Sequence, residues 1–333
     1  MKIFTAIMTL CVLSGHAYAF NEKECIVKNS YDGVELAGTL STPDSQPRAA
    51  LVLITGSGQQ NRDEEVFGHK PFKCIAERLS DDGFAVLRLD DRGIGGSGGD
   101  FTAATMDDFV KDAEAALLFL REEYPGLPVG SLGHSEGGSV VIRLASGNKS
   151  DFIISLAAPA WAGDSMIMSQ TRALAMTMTG EWKAESSQRK LLDIAKGDLP
   201  DFVARPLLVS ALADIHGNIP AVADNINAVA DVMLSPHYRG LLRYNPTEDI
   251  KAVKVPWLAL NGSKDLQVLE GNLKTIDELC PSAKTVLMNS HNHLFQHCSV
   301  GLPQEYAEIQ EDISKETLDI ISGWLQGLFP QND

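Results

Sequence analysis

Gly133-His134-Ser135-Glu136-Gly137 sets a serine between glycines, just where the apolar run Val129 to Leu132 gives way to the helical spacing of Ser139 to Ala145. A G-x-S-x-G segment with a strand before it and a helix after it marks a nucleophile carried on a sharp turn. The turn strains the serine backbone, and only glycine neighbours let the flanking chain come close enough. The Ser135 hydroxyl then stands at a helix N-terminus, where the helix dipole favours negative charge. A serine hydroxyl is a weak nucleophile until a base takes its proton, so the reading requires a histidine and a carboxylate to orient it. Asp265, in Asn261-Gly262-Ser263-Lys264-Asp265, directly follows the apolar run Trp257 to Leu260, and His293, in Asn292-His293-Leu294-Phe295, follows the run Thr285 to Met288. Serine, acid and histidine in that chain order are predicted to meet at one sheet edge and to carry out acyl transfer.

Attack on a carbonyl builds an oxyanion that needs N–H donors already in place. The amide of Glu136 is one predicted donor, and the other is assigned to Ser57 in the Gly-rich Thr55-Gly56-Ser57-Gly58, which closes the run Leu51 to Ile54. That loop lacks the Gly-Lys-Ser/Thr ending of a phosphate loop, which argues against nucleotide binding. Asp164 is an alternative acid, and His291 and His297 are alternatives to His293. His291, His293, His297 and Cys298 also resemble a metal cluster, but no further ligand set for a catalytic zinc is evident, so neither metal nor cofactor is implied. His69 and His237 are read as ordinary surface or cap histidines. Arg62-Asp63 and Asp90-Asp91-Arg92-Gly93 are read as ties between loops beneath the site, not as a dinucleotide motif.

These residues need a scaffold. Leu51 to Ile54, Ala85 to Leu89, Val129 to Leu132, Phe152 to Leu156 and Trp257 to Leu260 are short, continuously apolar runs, as expected of strands buried on both faces. Helical spacing between them, as in Phe109 to Leu120, argues for an α/β fold with a mostly parallel central sheet and helices on both faces. Cys25 to Asn29 and Val34 to Ser41, split by Tyr31-Asp32-Gly33, predict an opening antiparallel hairpin. One amphipathic helix is predicted from about Glu305 to Leu328. The alternation fails between Trp161 and Leu242, where the chain turns helical and Met-rich. The expected organisation is therefore a core of residues 20–160 and 243–333 with a helical cap over 161–242.

Composition bounds the function. With 44% apolar and 22% charged residues the chain has material for a packed core, and its net charge of −16 disfavours nucleic-acid partners. Lys2, the apolar run Ile3 to Leu13 and Ala17-Tyr18-Ala19 read as a cleavable leader over residues 1–19, which predicts a secreted or periplasmic protein without a stable membrane anchor. Cys25, Cys74, Cys280 and Cys298 then remain. They are compatible with two disulfides in any of three pairings, with a slight preference for Cys280 to Cys298, or equally with free thiols.

Taken together, Thr55-Gly56-Ser57-Gly58 with Arg62-Asp63-Glu64, Gly68-His69-Lys70-Pro71-Phe72, Asp90-Asp91-Arg92-Gly93, Gly133 to Gly138, Asn261 to Val268 and Asn292 to Phe295 resemble the bacterial serine α/β-hydrolases of the carboxylesterase and serine-aminopeptidase-like group. The resemblance spans nearly the whole chain beyond residue 20 and implies the α/β-hydrolase fold with Ser135, Asp265 and His293 as its triad. Where that group usually has a proline-containing segment after the acid loop, this chain has Leu269-Glu270-Gly271. A small-molecule ester is the expected substrate, hydrolysed through an acyl-serine. An aminopeptidase-like activity would need a carboxylate such as Glu136, Glu181 or Glu185 to hold an ammonium, and a thioesterase would use the same triad. A silent binding protein is the non-enzymatic alternative, against which the complete triad argues.

Overall fold

The computed structural model describes residues 20–216 and 220–331; the leader expected over 1–19, and Gly217 in the expected cap, lie outside them. Two strands, β1 (Phe20–Lys28) and β2 (Glu35–Pro43), form an antiparallel hairpin, and Gly33 in its turn takes a positive φ of 80°. Six further strands follow: β3 (Ala50–Ile54), β4 (Ala85–Leu89), β5 (Val129–His134), β6 (Ile153–Leu156), β7 (Trp257–Gly262) and β8 (Lys284–Met288). They lie parallel in one eight-stranded sheet of order β1-β2-β4-β3-β5-β6-β7-β8, with β2 antiparallel to β4.

Parallel neighbours need crossovers, and helices supply them: α1 (Pro71–Asp81), α2 (Met106–Glu123) and α3 (Glu136–Ser146). Strand alternation decides which side chains meet which helices. Leu51 and Leu53 of β3 join Leu132 and Leu258 in a core shared with α1 and the C-terminal helix, whereas Ala50 and Val52 face α2 on the opposite side. The start of α2 is set by a capping box, in which Thr105 accepts from the Asp108 amide and the Asp108 carboxylate accepts from the Thr105 amide.

Six helices separate β6 from β7: α4 (Gly163–Thr179), α5 (Glu185–Lys196), α6 (Asp201–His216), α7 (Pro220–Met233), α8 (Pro236–Arg243) and α9 (Thr247–Ala252). Residues of α4 to α8 have a core of their own, built on Leu191, Leu192, Leu208, Ala230 and Leu242. Pro206 does not break this segment but lies inside α6. In this Met-rich segment Met166 and Met168 are buried while Met176 and Met178 are exposed.

Beyond β7 come α10 (Gly271–Leu279), α11 (Pro303–Tyr306) and α12 (Lys315–Leu328). The single helix expected over 305–328 is thus two, because the segment between them is claimed by tertiary hydrogen bonds. The Phe295 carbonyl accepts from Ser314 N–H, the Asp312 carboxylate accepts from Lys70 N–H at 3.2 Å, and the Ser314 hydroxyl accepts from Thr317 N–H as the cap of α12. Of the two readings of the cysteines, bridged or free, the structure has the second: all four described cysteines are free thiols, and the slightly preferred Cys280–Cys298 bridge is not formed. Among the described residues, no helix is long and apolar enough to cross a membrane.

Candidate active site

Ser135 sits between β5 and α3 with φ 52° and ψ −118°, a conformation that side chains rarely adopt. The glycines around it are required sterically. A Cβ on Gly133 would lie 2.1 Å from the Gly137 carbonyl oxygen, and one on Gly137 would lie 2.2 Å from that of Ile54 at the end of β3. Close packing of β5, α3 and β3 therefore forces the serine out over the carboxyl edge of the sheet.

The acid and histidine loops leave β7 and β8, the next strands on that edge. Asp265 Oδ1 accepts from the amides of Gln267 and Val268 at 2.8 and 2.9 Å, which turns Oδ2 toward His293 Nδ1 at 2.7 Å. With Nδ1 occupied, His293 has Nε2 left for the serine, and both His293 and Ser135 line one cavity of about 990 Å³. Gly262 allows the two loops to touch, since a Cβ there would lie 2.3 Å from the His291 carbonyl oxygen. The alternatives lie elsewhere. Asp164 pairs with Lys196 at 2.6 Å, His291 Nε2 meets the Ser314 hydroxyl at 2.7 Å, and His297 Nδ1 meets Glu311 at 2.9 Å. The metal-like cluster also changes membership, because His291 and His297 gather with Glu316 while His293 is drawn off by Asp265.

Opposite the histidine lies the loop after β3. The Gly56 amide donates to Glu64 Oε1 at 2.7 Å, so of this loop's two leading amides Ser57 is the one left for a substrate oxygen. Glu136 opens α3 as its first residue, where backbone amides lack partners within the helix. The side chains of these two residues also meet, as the Ser57 hydroxyl donates to Glu136 Oε2 at 2.7 Å. Beneath the loop, Arg62 grips Asp90 through Nε and Nη2, Arg92 grips Asp112, and Asp91 accepts from the Thr55 hydroxyl and the Gln60 amide. Burial pushes the Asp91 carboxyl up to about 7 against the pull of those two hydrogen bonds.

Three participants were not legible as such in the sequence. Glu64, only 2% exposed, holds both Gly56 and His134, and His134 in turn donates from Nε2 to the His293 carbonyl at 2.9 Å. His237, read as an ordinary surface or cap histidine, comes in from α8 to lie 2.5 Å from Glu136 Oε1 and lines the cavity. His69 is likewise buried, meeting the Tyr306 carbonyl and Asp312. Arg62-Asp63-Glu64 was visible as a motif but not the role of its third member. For His237 no sequence signal exists, because its segment carries no motif.

A family profile described as serine aminopeptidase, S33, matches residues 46–213, half of the chain. Esterase EstD of Thermotoga maritima is 25% identical over 314 residues, covering 92% of this chain and 68% of that protein. A monoacylglycerol lipase of Mycolicibacterium smegmatis is 32% identical over 110 residues, 33% of this chain and 36% of the lipase, so that similarity spans little more than a third of the relative. Among solved structures, an esterase of Pyrococcus furiosus superposes with a TM-score of 0.58 at 17% identity, covering 94% of this chain and 92% of that one, a likeness of fold.

Proposed function

The chain belongs to the serine aminopeptidase S33 family of α/β-hydrolases and is a serine hydrolase, and on that premise we propose that it cleaves carboxylic esters of small or medium acyl groups. The observation that carries this reading is His293, held by Asp265 at 2.7 Å and lining the same cavity as the strained Ser135. In the proposed reaction His293 Nε2 takes the Ser135 proton as Oγ attacks the ester carbonyl. Asp265 holds the imidazole with Nδ1 protonated and stabilises the imidazolium that forms. The amides of Ser57 and Glu136 receive the oxyanion, the proton passes from His293 to the leaving alcohol, and water then hydrolyses the acyl-Ser135 with His293 again as base. No direct hydrogen bond joins Ser135 to His293 among the described residues, and such contacts commonly close only when substrate is bound.

An ester fits better than a peptide with a free amino terminus. Of the carboxylates that could hold an ammonium, Glu136 is engaged by Ser57 and His237, Glu64 by Gly56 and His134, and Glu181 by Lys183, while Glu185, on α5, does not line the cavity. We place acyl selection in the helical segment 161–242, whose Met166, Ile167 and Leu241 line the cavity. We also propose export of the protein through the leader at residues 1–19, checked by the N-terminal sequence of the protein recovered from its native cells. The central test compares p-nitrophenyl esters of graded chain length with aminoacyl p-nitroanilides, using wild type and Ser135→Ala. Esters should turn over faster, and the variant should lose about 10⁴-fold or more in kcat along with labelling by a fluorophosphonate. Full turnover in Ser135→Ala would end the acyl-serine reading, and faster anilide cleavage would replace the ester.

A further inference from the structure

Three side chains from three separate parts of the chain meet in one line at the oxyanion site. The Ser57 hydroxyl donates to Glu136 Oε2 at 2.7 Å, and His237 Nε2, from α8, lies 2.5 Å from Glu136 Oε1. Ser57 and Glu136 are the residues whose amides are assigned to the oxyanion, so a carboxylate stands on the residue that must receive developing negative charge. A fixed anion on that residue opposes the build-up of a second one beside it, the more so in a site screened from water. Unless compensated, the Glu136 charge would work against the reaction.

Among the described residues, the two arginines beneath the site are already committed. Arg62 is held by Asp90 and Glu24, and Arg92 by Asp112 and Asp32. His237 faces Glu136 from α3 and Asp91 from the loop after β4, and the rings of Phe101 and Phe109 close around its imidazole at 5.9 and 5.4 Å. On its own helix the nearest cation, Arg239, is turned to Asp201.

Resting on the acyl-serine reading above, we infer that His237 is a positioning residue of the reaction: as an imidazolium it cancels the Glu136 charge beside the oxyanion. The helical insertion is then an electrostatic part of the catalytic site as well as a wall of its cavity. Burial disfavours the charged imidazole, but the hydrogen bond and charge of Glu136, aided by the charge of Asp91, outweigh it and hold His237 above the ordinary histidine range. The sign of the pH effect follows. His237 must be protonated, so activity falls as pH rises through its raised value.

The test is steady-state kinetics of the full chain on p-nitrophenyl butyrate from about pH 5 to about pH 10, with kcat referred to fluorophosphonate-titrated sites. His237→Gln keeps size and hydrogen bonding without charge. It should lower kcat about 10-fold with little change in KM and should abolish the alkaline limb. Adding Glu136→Gln to that variant should recover most of the loss, because the charge needing compensation is then gone. His237→Lys should retain turnover and move the alkaline limb to higher pH. A mere packing role predicts no recovery in the double variant, and that result, or a wild-type pH profile in His237→Gln, would overturn the inference. Retained activity in Ser135→Ala would instead sink the acyl-serine reading itself, so the two failures are distinguishable.

Discussion

Glu64 Oε1 accepts from the Gly56 amide and faces His134 Nδ1 at 2.9 Å, while His134 Nε2 points at the carbonyl of His293. A carbonyl can only accept, so Nε2 carries a proton, and the carboxylate opposite Nδ1 calls for a second one. Burial works against the charged ring, yet the charge and hydrogen bond of Glu64 raise the His134 pKa. This buried ion pair thereby ties the loop after β3 to the backbone of His293. Removing one member leaves the other charge uncompensated in the interior, so His134→Ala should cost about 3–5 kcal/mol in urea-induced unfolding. A cost under about 1 kcal/mol would show that the pair is an ordinary neutral hydrogen bond.

The strand–turn–helix unit from β5 to α3 works as an element because its glycines are contact surfaces. Gly137 packs against the end of β3, whose next residues form the oxyanion loop, so a methyl group placed there must push that loop aside. Gly137→Ala should therefore lower Tm and reduce kcat by about 10²-fold or more, whereas Gly323→Ala on α12, where an added Cβ meets nothing within 4 Å, should be neutral or stabilise by up to about 1 kcal/mol. Thermal melts and ester kinetics on the two variants check the contrast, and equal damage from both would undo it. The break between α11 and α12 belongs to the same scale. The 305–328 segment has helical periodicity, but periodicity measures only what a helix would gain, and hydrogen bonds to Lys70 and Phe295 outbid it locally.

Across the whole molecule, burial of acidic groups beneath the site leaves a pH signature. The Asp91 carboxyl is raised to about 7, so its stabilising share is complete below the ordinary aspartate value and is lost as pH rises toward about 7. Ionised Asp91 is then a cost borne by the folded state. Asp91→Asn can still accept from Gln60 N–H and can donate to the Thr55 hydroxyl, so it should be more stable than wild type above about pH 7. Its Tm advantage should shrink toward about pH 5. A Tm difference that does not vary with pH would mean that Asp91 ionises as freely in the folded chain as in the unfolded one.

The positions of the central strands along the chain, the turn that carries Ser135 and the loops that carry Asp265 and His293 were readable from residue types and spacing, because each is local: an apolar run, a pair of glycines, a loop directly after a strand. Burial by contact from distant segments was not readable. His237 sits in a segment without a motif, and Glu64 and His69, though inside recognisable motifs, acquire their partners only when α8, the loop after β3 and the α11 segment come together with the rest of the chain. The cysteine pattern allowed bridges or free thiols alike, and the folded chain keeps all four described cysteines free. What the sequence settled by itself was the chemistry on offer. The tertiary structure decided which charges stand beside it, because the strength of an ion pair depends on separation and on exclusion of water, and neither is written along the chain.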